Sequence, residues 1–85
     1  MEEVKQFYVI DTYFFDIDDE MIRTQSDIVS TEHGVNDALG KAKKIAKNST
    51  RELEVYYEFK ISQVLPVLAY SNDPHVPEEE KLQVF

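Results

Sequence analysis

Four carboxylates, Asp16, Asp18, Asp19 and Glu20, fall within five positions directly after Phe14 and Phe15. Acids at that density could bind a hard cation, act as an acid–base pair, or imitate a phosphate backbone. Read as a calcium loop, Asp16, Asp18 and Glu20 take positions one, three and five, and Asp27 takes position twelve. The sixth position needs glycine for its sharp turn and holds Met21, and the twelfth ligand is Asp instead of the longer bidentate Glu. The flanking segments also have strand character where such a loop has helices. These acids therefore read first as the solvated tip of a hairpin.

Other candidate groups point no more firmly to catalysis. Asp16 and Asp18 after a strand resemble the nucleophile motif of haloacid-dehalogenase-type phosphatases, but Glu20 stands where that family has Thr or Val. A chain of 85 residues is also too short for the doubly wound domain that carries the chemistry. Glu58 and Lys60 resemble the Glu-x-Lys strand element of restriction-type nucleases. No Pro-Asp pair precedes them, and metal-dependent phosphodiester cleavage needs at least two converging carboxylates. His33 and His75 are the only histidines, far apart in sequence, and there is no cysteine. Neither a zinc site nor a disulfide framework is expected. No serine lies in a Gly-x-Ser-x-Gly context. The expectation is a non-enzymatic protein without metal or cofactor.

The elements that must position these groups follow from periodicity. "FYVIDTYFF", Phe7 to Phe15, and "MIRTQSDIV", Met21 to Val29, are rich in β-branched and aromatic residues and read as two strands joined through the acids. If Asp16 to Glu20 form a five-residue connection, Phe15 faces Met21. That register puts Tyr8, Ile10, Thr12 and Phe14 on one face together with Ile22, Thr24, Ser26 and Ile28. In "STEHGVNDALGKAKKIAKN", Val35, Ala38, Leu39, Ala42, Ile45 and Ala46 recur at helical spacing. Ser30 or Thr31 could cap this helix and Asn48 could stop it. Its alanines predict close approach to a sheet. "RELEVYYEFKIS" alternates, placing Leu53, Val55, Tyr57, Phe59 and Ile61 beneath the helix and Glu52, Glu54, Tyr56, Glu58 and Lys60 on the other side.

A further apolar run, "VLPVLAY", could form a fourth strand, with Pro66 arguing for an edge or a bulge. The predicted fold is α+β, a small antiparallel sheet of three or four strands with one helix on one face, in the order β-β-α-β with a possible final strand. One domain spans residues 1–70. Residues 71–85 form an acidic, proline-containing tail or a short terminal helix opened by Pro77.

Charge narrows the function. Seventeen acids against nine bases give −8, distributed as −8 over residues 1–40, +5 over 41–51 and −5 over 52–85. Such a chain repels nucleic acid and anionic membranes and suits a basic protein partner. Its acidic start is followed by no long apolar stretch, so a cytoplasmic, soluble protein without membrane association is expected.

If the helix covers one sheet face, the other presents Phe7, Val9, Asp11, Tyr13, Phe15, Arg23, Gln25, Asp27, Glu54, Tyr56, Glu58 and Lys60. Aromatics interleaved with acids are characteristic of a partner-binding patch. The expected contact set is Asp11, Tyr13, Phe15, Asp16, Asp18, Asp19, Glu20, Asp27, Glu54, Tyr56 and Glu58. Two copies could instead pair through this face, or the tail could fold over it.

Small size and acidity are similar to those of virus-encoded inhibitors that mimic nucleic acid, which implies a host nucleic-acid-handling protein as target. The hairpin, Ala-rich helix and following strand are similar to small antitoxins of the hic type, whose partner is a basic ribonuclease toxin. The Pro-Gly turn of that family is missing, and the likeness is confined to residues 7–47. The alternative reading is phosphate contact through Lys41, Lys43, Lys44, Lys47 and Arg51.

Overall fold

The computed structural model describes residues 5–85; the acidic start, with Glu2 and Glu3, lies outside the described residues. The fold is α+β. Strands β1 (Gln6–Phe15) and β2 (Met21–Thr31) form a hairpin, followed by helix α1 (Val35–Ser49) and strands β3 (Tyr56–Ser62), β4 (Pro66–Ser71) and β5 (Leu82–Val84). All pairings are antiparallel, in the order β2-β1-β3-β4-β5. β1 is flanked on both sides, and α1 carries the chain across it from β2 to β3.

The alternation in β1 behaves as its sequence requires. Tyr8, Ile10, Thr12 and Phe14 are buried, whereas the intervening residues are exposed or half-buried. In register with them, Tyr57, Phe59 and Ile61 of β3 and then Leu68 and Tyr70 of β4 line the same face. An aromatic row crosses this layer, from Phe14 to Tyr57 at 6.4 Å, Tyr57 to Phe59 at 6.2 Å, and Phe59 to Tyr70 at 5.3 Å. Helix α1 lies over it with Ala38, Ala42 and Ala46 fully buried. Methyl groups at successive turns let the helix backbone approach the rings closely, as the alanines predicted.

Helix entry differs from expectation. The N-cap is Gly34, at φ 85°, a left-handed conformation that glycine adopts without steric cost. Thr31 belongs to β2, and its hydroxyl instead bonds the Asp37 carboxylate and accepts the His33 N–H at 3.0 Å. That hydroxyl is the main reason the Asp37 carboxyl is held below its ordinary pKa. The helix runs one residue beyond Asn48, and the Thr50 hydroxyl donates to the Ala46 carbonyl.

The face assignment of β2 is corrected. A bulge between Phe14 and Phe15 pairs Phe14 with Arg23 and Phe15 with Met21, so Ile22 is the extra residue. One inserted residue reverses every side chain after it. Arg23, Gln25, Asp27 and Val29 therefore share the helix face, while Thr24, Ser26 and Ile28 lie on the opposite, open face.

Leu53 and Val55 are corrected as well. They precede β3 in a turn, and Leu53 is 75% exposed instead of lying beneath the helix. Pro66 opens β4 at a register shift against Ser62, the bulge alternative; β4 is an interior strand because β5 covers its far edge. Proline at the first position of a strand removes no interior ladder bond.

Thr12 is the exception in an otherwise apolar layer. It is fully buried, and its hydroxyl has no partner among the described residues. Thr12→Val removes the desolvation cost while keeping the branched shape, so it is expected to stabilise the fold by about 1 kcal/mol, seen as a melting point higher by roughly 4–8 °C. A loss of stability would show that the hydroxyl has a partner in solution.

Candidate functional site: the open sheet face and its hairpin tip

The acids of the hairpin tip divide into one that builds the loop and others that face solvent. Asp16 Oδ1 accepts the backbone N–H groups of Asp18 at 2.9 Å and Glu20 at 3.0 Å, while its own N–H donates to the Glu20 carbonyl. This is the local side-chain-to-backbone pattern that makes Asp a turn residue. Asp19 takes the positive-φ position that closes the turn. Asp18, Asp19 and Glu20 are exposed. Among the described residues, no group of three or more His, Cys, Asp or Glu side chains is placed to hold a metal ion. His33 and His75 are both exposed and lie on separate segments.

On the open face, β1 contributes Phe7, Val9, Asp11, Tyr13 and Phe15, and β3 contributes Tyr56, Glu58 and Lys60. The cross-strand pairs are Asp11 with Lys60, Tyr13 with Glu58, and Phe15 with Tyr56. Antiparallel neighbours on one face lie within contact range of one another. The Phe15 and Tyr56 rings stack at 4.7 Å and 7°. Tyr56, expected at the surface, is only 8% exposed. Burial, reinforced by the nearby Asp19 carboxylate, pushes its phenol pKa up to about 12. Tyr56 thus packs on Phe15 at the base of the acidic tip, while Tyr13 and Phe15 remain half-exposed.

The C-terminal segment covers one side of this face. After β4, Asn72 bonds both backbone groups of Tyr57, through its N–H at 3.0 Å and its side-chain carbonyl at 2.7 Å. The chain then makes an excursion through a short 3-10 turn, Glu78–Glu80, before returning as β5. The Lys81 ammonium reaches the Asp73 carbonyl at 2.6 Å and braces the excursion. Between this segment and the sheet lies an open groove of about 320 Å³, whose lining includes Tyr13, Glu58, Lys60, Val76, Glu80 and Lys81. Val76, Glu80 and Lys81 were not anticipated as site residues. The sequence signal for this segment is its apolar ending, Leu82, Val84 and Phe85, which suits either packing on the sheet or docking on a partner.

Two expected members of the site lie elsewhere. Asp27 is on the helix face because of the β2 bulge, where it accepts from Gln25 Nε2 at 2.9 Å. Glu54 is buried against Arg23, with Nε to Oε2 at 2.7 Å and Nη2 to Oε1 at 2.8 Å. The same carboxylate accepts the Arg51 N–H at 2.8 Å. Arg23 also donates to the Ser49 carbonyl at the end of α1, and its guanidinium lies 3.9 Å from the centroid of the Phe14 ring. The hydrogen bonds from Arg23 are the main cause holding the Glu54 carboxyl below its ordinary range. This cluster ties β2, α1 and the turn before β3 together.

The helix bases occupy the opposite side, whereas Lys60 and Lys81 stay with the acids of the open face. Lys41, Lys43, Lys44 and Lys47 are exposed on α1. Lys41 is held by the Ser30 carbonyl and Asp37, and Lys43 sits over the Tyr70 ring at 4.5 Å. Arg51 is exposed in the turn after the helix and borders a shallow depression with Ile22, Arg23 and Leu53. The helix therefore places its lysines on one side of the sheet, and the hairpin and β3 place Asp11 and Glu58 on the other.

Among the described residues, no helix is long and apolar enough to cross a membrane. No protein-family model matches the sequence, and neither a curated protein nor a solved structure matches it.

Proposed function

We propose that this chain is a small non-enzymatic binding module that captures a basic protein surface on its open sheet face and hairpin tip. It would act as an inhibitor or adaptor of the kind carried by a phage or other mobile element, against the phosphate-binding site of a nucleic-acid-handling protein. The observation that carries this reading is the gathering of acids and aromatics on the open face, beside Lys60 and Lys81. Asp11, Glu58 and the tip acids Asp18, Asp19 and Glu20 gather around half-exposed Tyr13 and Phe15, while the helix lysines face away. Rings supply contact area and carboxylates steer and orient a cationic partner. Asp16, Tyr56, Asp27 and Glu54 serve the reading indirectly, by holding the loop, the sheet and the helix in place.

Capture from host extract, followed by mass spectrometry, tests it. A basic protein retained by the wild-type chain should bind at least about tenfold more weakly to Asp11→Lys/Glu58→Lys and equally well to Lys44→Glu/Lys47→Glu. The reverse pattern, with steeply salt-dependent binding to duplex DNA or RNA, would move the function to the helix lysines and Arg51.

A further inference from the structure

The half of the open face far from the hairpin tip differs in character from the half beside it. Along β1 the open-face residues run Phe7, Val9, Asp11, Tyr13 and Phe15, so apolar positions come first and charge begins at Asp11. Val9 lies opposite Ile28 of β2, and Phe7 is the diagonal neighbour of the same side chain. Phe7 is 62%, Val9 37% and Ile28 73% exposed, and none of the three belongs to the core.

This apolar patch runs directly into the acids. Asp11 follows Val9 on the same face, and Tyr13 and Glu58 lie opposite each other beyond it. Neither Asp11 nor Glu58 forms an ion pair among the described residues. Lys60 and Lys81 border the same area, but Lys81 is held by the Asp73 carbonyl, and Glu80 with the exposed tip acids leaves carboxylates in excess. From Phe7 to Phe15 the surface extends about 26 Å at the rise of a strand.

The backbone decides the form of what can lie there. β1 is bonded to β2 on one side and to β3 on the other, so its face offers side chains and no free ladder groups. An extended segment laid across it would bury its own N–H and C=O groups without partners, whereas a helix satisfies them internally. A helix of about 18 residues has the matching length. α1 packs on the opposite face in the same way, and a helix here would complete a three-layer arrangement.

We infer that the open face receives one amphipathic α-helix of the basic partner. Its apolar contacts lie on Phe7, Val9 and Ile28 at one end, and its Lys or Arg side chains meet Asp11, Glu58 and the tip acids at the other. Charge complementarity selects this occupant. A helix apolar throughout would strip water from Asp11 and Glu58 without pairing them, and one cationic throughout would press ammonium groups onto Phe7 and Ile28. The inference rests on the open face being the site for a basic protein, and adds the apolar half of that site and the form of the bound segment.

The probe is a synthetic helix of about 18 residues, with leucines on one side of its first half and lysines on the same side of its second half. The control has the same composition with the lysines moved to the opposite side. Fluorescence anisotropy should show the first peptide binding the wild-type chain at least about tenfold more tightly than the control. Phe7→Thr/Ile28→Thr should weaken that binding at least about tenfold and leave its salt dependence unchanged. Asp11→Lys/Glu58→Lys should weaken it comparably and flatten the salt dependence. Both apolar sites are exposed and threonine suits a strand, so circular dichroism should stay that of the wild type. Failure of the wild type to bind the first peptide, or equal binding of the two peptides, overturns the inference. Undiminished binding by Phe7→Thr/Ile28→Thr, with binding lost on charge reversal, overturns it while leaving the acidic site intact. Binding untouched by charge reversal removes the acidic site as well.

Discussion

Glu54→Leu is expected to destabilise the fold by about 3–5 kcal/mol, because it leaves the Arg23 guanidinium buried without its counter-charge. For a domain of this size that lowers the melting point by roughly 20 °C. The Glu54 side chain is only 3% exposed and that of Arg23 15%, so water cannot replace the lost partner. Arg51 would also lose the acceptor of its N–H. The double variant Arg23→Met/Glu54→Leu should recover most of the loss, since a packed apolar pair avoids the desolvation of both ions. Urea unfolding of the wild type, both single variants and the double variant gives the coupling directly. A Glu54→Leu cost below about 1 kcal/mol, the range of exposed pairs, would mean that the pair is solvated and does not organise the helix end.

The same pair has a pH signature. Folding lowers the Glu54 pKa, chiefly through the hydrogen bonds from Arg23, so the folded state holds the carboxylate more strongly than the unfolded chain does. Its contribution is therefore complete above the unfolded value of 4.5 and is lost as pH falls through the lower folded value. The acid limb of a stability–pH curve should flatten in the double variant relative to the wild type. An unchanged acid limb would assign acid unfolding to other carboxylates.

Ala42→Leu is the second large effect. Ala42 is fully buried at the centre of the helix contact, between Ala38 and Ala46, over a layer formed by Ile10, Phe59 and Ile61. Added branches have no void to enter and must lift the helix or displace a ring, at a cost of about 1–3 kcal/mol. Denaturant unfolding should show the loss, whereas Lys44→Leu on the exposed side should change stability by no more than about 0.5 kcal/mol. Leucine has good helix propensity, so the loss cannot be ascribed to the helix itself. A neutral Ala42→Leu would show that the helix can ride higher and that the close approach is not required.

These two sites locate the difficulty in reading function from this chain. A face of mixed acids and aromatics is recognisable in β1 and β3, where strict alternation separates the two sides over uninterrupted strands. Asp11, Tyr13, Phe15 and Glu58 could therefore be assigned to the open face from their positions alone. Glu54 sits two residues before the first residue of β3, and alternation extrapolated beyond the strand end misplaces it. Tyr56 lies on the expected face, yet it is buried, with its ring stacked on Phe15 of the neighbouring strand. The groove residues Val76, Glu80 and Lys81 come together with the sheet only because β5 returns to pair with β4.

What the sequence determined is the α+β class, the helix with its alanine contact stripe, and the inner and outer faces of β1 and β3. Each follows from a local period, two residues for a strand and 3.6 for a helix, and a local period survives whatever the neighbours do. What the tertiary structure decided is the face of every residue in β2 beyond the bulge, the ion pair of Arg23 with Glu54, and the C-terminal segment along one side of the open face. A single extra residue at Ile22 reverses a strand without altering its alternation, and its placement depends on which side chains β1 and α1 can accept. Arg23 lies inside because Glu54, the helix end and the Phe14 ring are there to receive it, and no stretch of sequence around Arg23 contains that information.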